Sequence, residues 1–110
     1  MIELLSGKVV RLATDSLTLM VGGVGFRAAI TPRFSLKLKL DQELELVTRL
    51  VVREDDLSLF GFENEAEQEA FDLLCSVSGI GPKLAMTVLS GMDAQQITNS
   101  VNSQDDAAFR

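Results

Sequence analysis

The hydrophobic period of the chain changes near residue 63, and this change limits the fold more than any other feature of the sequence. Before residue 63, apolar residues alternate with polar ones, as in β-strands. After it, they recur every three or four residues, as in amphipathic helices. A chain of 110 residues has room for one core or two small ones. We therefore predict an all-β unit over residues 1–62 and a helical unit over residues 63–110.

Five strands are predicted in the first unit, over residues 2–14, 16–21, 24–31, 43–53 and 57–62. The turn-forming pairs Asp15-Ser16 and Gly22-Gly23 separate the first three strands, which is typical of an antiparallel meander. Residues 31–40 leave two alternatives open, a short helix or an edge strand, because Pro32 interrupts an alternating pattern of leucine and lysine. Five strands with no helix between most of them predict a small closed or nearly closed barrel.

The second unit is predicted to begin with a helix that Asn64 caps. Its predicted apolar stripe consists of Ala66, Ala70, Leu73, Leu74 and Val77. The acidic residues around it are interpreted as a solvated face: Glu63, Glu65, Glu67, Glu69 and Asp72.

Further helices are predicted after this one. Pro82 suits the first position of a second helix that reaches Ser90, and Asp93 can cap a third helix that runs through Val101. Ser103 can cap a fourth helix that has barely begun at residues 107–110.

The chain contains no histidine and a single cysteine, Cys75. Without an imidazole there is no Ser/His/Asp or Cys/His triad and no His metal ligand. The lone cysteine forms no internal disulfide, which fits a reducing cytoplasm, and its apolar neighbours favour a buried structural side chain over a nucleophile. No stretch approaches the roughly 20 apolar residues that cross a bilayer. We expect a cytoplasmic protein with no membrane partner.

The net charge of −6 at first argues against a polyanionic partner, because nucleic-acid affinity usually begins with the neutralisation of phosphates. The charge is unevenly spread, however. Residues 1–50 hold seven basic and five acidic residues, a net +2, whereas residues 51–110 hold three and eleven, a net −8. We therefore predict that binding to DNA by charge alone is weak.

One glycine motif resembles a cofactor-binding loop. Gly23-Val24-Gly25 with Ala28 matches the bare pattern G-x-G-x-x-[GA] of dinucleotide-binding proteins. Such a loop must end a strand and open a helix, because the helix N-terminus binds the pyrophosphate. Residues 26–31 alternate as a strand instead. We interpret these glycines as a hairpin turn.

Three adjacent carboxylates, Glu54, Asp55 and Asp56, lie between two predicted strands. A metal site or an acid–base pair is one interpretation, but consecutive turn residues do not all converge on one point. On composition alone, a solvated hairpin tip is favoured. A third alternative is a local anionic projection that repels another polyanion.

The segment between the first two predicted helices, SGIGPKL at residues 78–84, is the most informative. Its two glycines allow a tight turn in which Ile80 is anchored in the core and backbone N–H groups face outward. These donors lie at a helix N-terminus, where the helix dipole favours an anion. Lys83 is unfavourable for the helix itself at that position. We therefore favour a phosphate-binding hairpin over an ordinary helix–helix turn.

Five collinear runs resemble the RuvA family of bacterial Holliday junction-binding subunits. They are VGGVGF at 21–26, TRLVVRED at 48–55, LFGF at 59–62, SGIGPKLA at 78–85 and LSGM at 89–92. The match spans essentially the whole chain, so it is much more specific than any one motif. The resemblance implies an OB-fold barrel followed by a helix-hairpin-helix domain, with no catalytic site and no cofactor.

The resemblance also assigns roles to residues. Glu54 and Asp55 match the acidic pin at the centre of the family's tetramer, where repulsion of phosphates helps to separate strands, and Asp56 is expected to add to it. The residues that match the family's phosphate-binding hairpin are Gly79, Ile80, Gly81, Pro82, Lys83 and Leu84. The implied partners are four-way junction DNA, further copies of the chain in a tetramer, the ATP-driven motor RuvB and the nuclease RuvC.

The sequence departs from the family's pattern after the first hairpin. Family members continue through a second glycine hairpin and a linked helical domain that binds RuvB. We therefore expect a fragment that binds junctions weakly and does not recruit RuvB. The alternative is a structural module, an OB barrel that only oligomerises, with the hairpin as a packing turn.

Overall fold

The structure is a computed structural model, and it describes residues 2–93 and 95–99. The chain divides into two compact units, Met1–Asn64 and Glu65–Arg110. The strands are β1 (Leu4–Leu12), β2 (Ser16–Val21), β3 (Val24–Ala29), β4 (Glu43–Arg53) and β5 (Asp56–Phe62). The helices with assigned limits are α1 (Pro32–Ser35), α2 (Glu65–Cys75) and α3 (Pro82–Gly91).

The five strands form a closed barrel in the order β1-β2-β3-β5-β4. Antiparallel pairing joins β1 to β2, β2 to β3, β4 to β5 and β1 to β4. Strands β3 and β5 are parallel and register at Ala29 and Phe60. This five-stranded, OB-like barrel followed by helices confirms the fold class predicted from the sequence.

The barrel is filled by inward-facing side chains of its strands, together with residues of the connection between β3 and β4. The core cluster consists of Val9, Leu17, Leu19, Ala28, Ile30, Phe34, Leu38 and Leu46. Burial on this scale is the main source of stability for so small a unit, because each fully buried aliphatic or aromatic side chain contributes roughly 1.5–3 kcal/mol.

The ambiguous segment at residues 31–40 contains the short helix α1. The buried Thr31 caps it, since Thr31 Oγ1 accepts a hydrogen bond from the Phe34 N–H at 3.2 Å. Pro32 occupies the first turn, where its missing N–H costs nothing. Of the two alternatives, the helix is the one that forms, and it places Phe34 in the barrel core.

Gly22 and Gly23 form the two-residue turn between β2 and β3. Their φ angles are +55° and +84°, and Val21 pairs with Val24 beside them. Positive φ at both central positions is the pattern of a type I′ hairpin turn. Because β3 follows at once, the hairpin interpretation is confirmed and the dinucleotide-loop alternative is wrong.

Strand β1 is irregular at two places. At Gly7 it passes so close to β2 that an added Cβ would overlap with the carbonyl oxygen of Met20. Further along, Val9 pairs with Leu19 but Arg11 pairs with Thr18, so Val10 is the extra residue of a β-bulge.

In the helical unit, α2 and α3 pack on each other. The buried residues of α2 are Glu67, Ala70, Phe71 and Leu74, and those of α3 are Ala85, Met86 and Leu89. The predicted stripe was therefore wrong at Ala66, which is exposed, while Leu73 and Val77 are half-buried.

The predicted acidic face was also wrong in part. Glu67 is only 6% exposed, because it lies three residues before Ala70 on the stripe that α2 actually buries. Glu63 precedes the helix, and its Oε2 lies 2.7 Å from Lys37 Nζ.

The third helical stretch follows the predicted cap. Asp93 Oδ1 accepts from the Gln96 N–H at 2.8 Å, and Gln96 Oε1 accepts from the Asp93 N–H at 2.9 Å. This reciprocal pair is a capping box, and residues 95–99 are helical. The predicted continuation to Val101 and the predicted fourth helix lie outside the described residues.

Candidate nucleic-acid interface

A tight turn connects α2 to α3 and begins the hairpin segment, which we define as Gly79, Ile80, Gly81, Pro82, Lys83 and Leu84. The Ile80 N–H donates to the Val77 carbonyl oxygen at 3.1 Å, which closes a four-residue turn. Gly79 is its third residue and has a φ of +87°. Turns of this kind need glycine there, because a side chain is strained at positive φ.

The second half of the hairpin segment is the N-terminus of α3. Gly81 is the N-cap in an extended conformation and provides no side-chain cap, Pro82 follows it, and the first turn has no acidic residue. The Ala85 N–H donates to Gly81 O at 2.9 Å. Among the described residues, the N–H groups of Lys83 and Leu84 have no acceptor within the chain.

These open donors are suited to an anionic ligand. Backbone N–H groups and the positive end of the helix dipole both point at a ligand placed at a helix N-terminus. Lys83 adds an exposed ammonium group in the same turn. Leu84 is 49% exposed, and Ile80 is half-buried, so the expectation that Ile80 is fully anchored in the core is met only in part.

The acidic tip, which we define as Glu54, Asp55 and Asp56, lies where β4 turns into β5. Arg53 pairs directly with Asp56, so Glu54 and Asp55 are the two residues of the turn and Asp56 begins β5. Neither turn residue has a positive φ, unlike the glycine turn between β2 and β3. All three acidic residues are exposed.

The carboxylates of the acidic tip differ in their contacts. Asp56 Oδ2 accepts from Ser58 Oγ at 2.9 Å. Within residues 2–93 and 95–99, Glu54 and Asp55 make no hydrogen bond or ion pair through their side chains. The described part of the chain also contains no group of three acidic, His or Cys side chains that could hold a metal ion. The tip therefore presents uncompensated negative charge.

One basic feature of the barrel, a pair of arginines at the same pocket, was not predicted from the sequence. Arg11 on β1 is paired with Thr18 on β2, and Thr18 is paired with Arg27 on β3. Together with Ser16, these residues line a pocket of about 200 Å³ on the barrel. Nothing in the linear sequence relates Arg11 to Arg27, because their juxtaposition depends on strand register and on the bulge at Val10.

The structure thus gathers the predicted residues into two sites, the acidic tip in the first compact unit and the hairpin segment in the second. In the portion of the chain that the structure describes, no helix is long and apolar enough to traverse a bilayer.

Comparison with known proteins identifies relatives over the whole chain. Residues 1–61 match the family model of the RuvA N terminal domain. The chain is 46% identical over 110 residues to the Holliday junction branch migration complex subunit RuvA of Clavibacter michiganensis subsp. michiganensis, a match that covers all of this chain and 51% of that protein.

Two further relatives carry the same name. The protein of Leifsonia xyli subsp. xyli is 42% identical over 110 residues, with 100% of this chain and 53% of that protein covered. The protein of Streptomyces avermitilis is 40% identical over 109 residues, with 99% and 54% covered. The chain spans about half the length of the curated relatives it matches. With the barrel matched by the family model and every residue of the chain aligned to such relatives, the chain belongs to the RuvA N-terminal domain family.

Proposed function

We propose that the chain is the junction-binding part of a RuvA subunit. It holds four-way junction DNA through the phosphate backbone and keeps strands apart with negative charge, and it catalyses no reaction itself. A RuvA subunit has as further partners other copies of itself in a tetramer, the motor RuvB and the nuclease RuvC. The names of its relatives support this general role.

The hairpin segment is the observation that carries the proposal. The segment combines two N–H groups that have no acceptor among residues 2–93 and 95–99, a helix N-terminus and the exposed Lys83. A phosphate oxygen satisfies all three, because it accepts hydrogen bonds and carries the charge that the helix dipole favours. Such contacts bind the backbone of any sequence. The proposed specificity is accordingly for the shape of the DNA and not for its bases.

The acidic tip has the opposite role in this proposal. A carboxylate repels a phosphate by about 0.7 kcal/mol at 6 Å in water. Unstacking one base-pair step costs about 1.4 kcal/mol. One carboxylate is therefore too weak to hold strands apart against pairing, whereas the clustered carboxylates of the tips of four copies exceed this cost several times over. The tip thus favours function as an oligomer.

The proposal is tested by fluorescence anisotropy of the 110-residue chain with a labelled four-way junction and a labelled duplex of equal length, at low ionic strength. We expect weak binding that favours the junction. Lys83→Gln is expected to weaken junction binding and to lower the salt dependence by about one counterion per chain. Lys39→Gln is the matched control, since Lys39 is also exposed and lies outside both candidate sites.

Two results would contradict the proposal. Equal affinity for junction and duplex would remove the preference for junctions. An unchanged affinity of Lys83→Gln, with the same molecular mass in solution, would identify the hairpin as a packing turn of a structural module.

A further inference from the structure

The pocket on the barrel lies at the end of strands β1, β2 and β3, beside the connection between β1 and β2. Arg11, Ser16, Thr18 and Arg27 line it, and its volume is about 200 Å³. The two arginines are exposed, and the two hydroxyl-bearing residues are half-buried. The pocket is therefore open to a ligand that approaches from solvent.

Strand register places the two arginines on either side of this pocket. Thr18 is the direct partner of Arg11 on one side and of Arg27 on the other. Two strand spacings separate the arginines, so their Cα atoms are about 10 Å apart. Guanidinium groups on such a span can approach one ligand from opposite sides.

No acidic group in the described chain compensates this pair of cations. Neither Arg11 nor Arg27 makes an ion pair there. The nearest carboxylate along the chain, Asp15 in the loop beside the pocket, is exposed and also forms no ion pair in residues 2–93 and 95–99. Two like charges about 10 Å apart on the same face of a sheet repel each other weakly, and an anion placed between them turns this repulsion into attraction.

The wall of the pocket is held in place by hydrogen bonds of the loop between β1 and β2. The Ala13 N–H donates to Ser16 O at 2.8 Å, and the Ile30 N–H donates to Asp15 O at 3.0 Å. Ser35 Oγ, from α1, donates to Ala13 O at 2.6 Å. A pocket that is ordered before the ligand arrives loses less entropy on binding.

We propose that Arg11 and Arg27 bind a phosphate group of the DNA backbone in this pocket, as a second contact separate from the hairpin segment. Arginine suits this role because its planar guanidinium donates in pairs to phosphate oxygens. Thr18 is paired with both arginines and lines the pocket, and a threonine hydroxyl is a further donor. The face of strands 2 and 3 and the loop between strands 1 and 2 are where OB barrels meet nucleic acids. This inference rests on the proposed function.

The test is an NMR titration of the ¹⁵N-labelled 110-residue chain with an unlabelled four-way junction and, separately, with inorganic phosphate. We expect the junction to shift the Nε–Hε signals of Arg11 and Arg27 and the amide of Thr18. The double variant Arg11→Gln, Arg27→Gln is expected to bind the junction about tenfold more weakly, or about threefold for each exposed contact. Its salt dependence should fall by about two counterions. Lys39→Gln again serves as the control.

The two proposals fail in distinguishable ways. Junction-induced shifts at Lys83 and Leu84 without shifts at Arg11 and Arg27 would overturn only the second contact. An absence of shifts at both places would overturn the proposed function as well. Shifts of the arginines with inorganic phosphate but not with the junction would identify a small-anion site and contradict a DNA contact. An unchanged ¹⁵N spectrum away from the pocket would verify that the double variant is folded.

Discussion

At the scale of single residues, Gly79 and Gly91 stand in equally open space but differ in backbone conformation. Neither has an atom within 4 Å of the place that an added Cβ would occupy. Gly79 has a φ of +87°, whereas Gly91 is the last residue of α3. Gly79 is therefore needed for its left-handed backbone conformation and not for lack of space. Comparing substitutions at Gly79 and Gly91 distinguishes the effect of backbone strain from the effect of adding a methyl group.

We predict that Gly79→Ala lowers the free energy of unfolding by about 1–2 kcal/mol, because alanine is strained at positive φ. Gly91→Ala is expected to leave it unchanged or to raise it by up to about 1 kcal/mol, since alanine favours a helix. Urea denaturation of the 110-residue chain measures both. Equal effects of the two substitutions would mean that the turn does not depend on a left-handed residue.

Local sequence predicted the turns of the hairpin segment and the acidic tip, because each turn is formed by a short contiguous run of residues with characteristic turn chemistry. It did not predict the burial of Glu67, because this residue belongs to a run of alternating glutamates that has the composition of an exposed face. Tertiary packing, and not local composition, decides which side of α2 is buried. Local sequence also missed the pairing of Arg11 with Arg27 across Thr18, because a single bulged residue shifts the register and no local pattern reveals it.

At the scale of elements, β1 is a strand whose backbone comes very close to that of a neighbouring strand. It pairs with both β2 and β4, and Gly7 lets it pass close to the backbone of Met20. Gly25 lies across β2 from it, since Met20 pairs with Gly25. An added Cβ at Gly25 would meet only the Thr18 side chain, at 3.3 Å.

We predict that Gly7→Ala destabilises the barrel by about 3 kcal/mol or more, because the methyl group would collide with backbone that cannot move without separating two strands. Gly25→Ala should cost less than about 1 kcal/mol, since a threonine side chain can rotate away. Thermal unfolding followed by circular dichroism provides the comparison. A tolerated Gly7→Ala would show that the two strands do not approach as closely as described.

Period-2 alternation predicted β1 to β4, whereas β5 was predicted as a short apolar run, and its Phe60, Gly61 and Phe62 are all buried. The ends of β1 and β3 were less accurate: β1 was predicted over residues 2–14 but spans Leu4–Leu12, and β3 ends at Ala29. A strand ends where its pairing with the neighbouring strand ends, whereas the apolar residues from which it was predicted continue further along the chain. Helix α1 stayed ambiguous because four residues are too few to display a helical period.

At the scale of the whole molecule, we expect DNA binding to depend more on where the negative charges lie than on the net charge. The net charge of −6 includes Glu54 and Asp55, which stand unpaired in the described chain, and also acidic residues such as Glu43 and Glu45 on the exposed side of β4. The second pair provides a control with the same change of charge elsewhere on the barrel.

We predict that Glu54→Gln with Asp55→Asn narrows the preference for junction over duplex by strengthening duplex binding about threefold per removed charge. Glu43→Gln with Glu45→Gln should strengthen both complexes equally and leave the preference intact, because general attraction does not distinguish DNA shapes. Anisotropy titrations with both DNAs at one salt concentration measure the ratio. Equal junction-to-duplex affinity ratios for the two double variants would show that the acidic tip has no specific role in junction recognition.

The closure of the barrel over residues 4–62 also decides how copies of the chain can associate. The ring of strands is closed, and a free edge remains only where β3 and β5 separate from their one registered pair, Ala29 and Phe60, so little edge is left for a neighbouring chain to extend. Copies that associate through the barrel would therefore meet mainly through side chains on its outer surface. Contacts of that kind can be dismantled by a single substitution while every strand stays paired, so an assembly formed through this surface would be altered without unfolding the barrel.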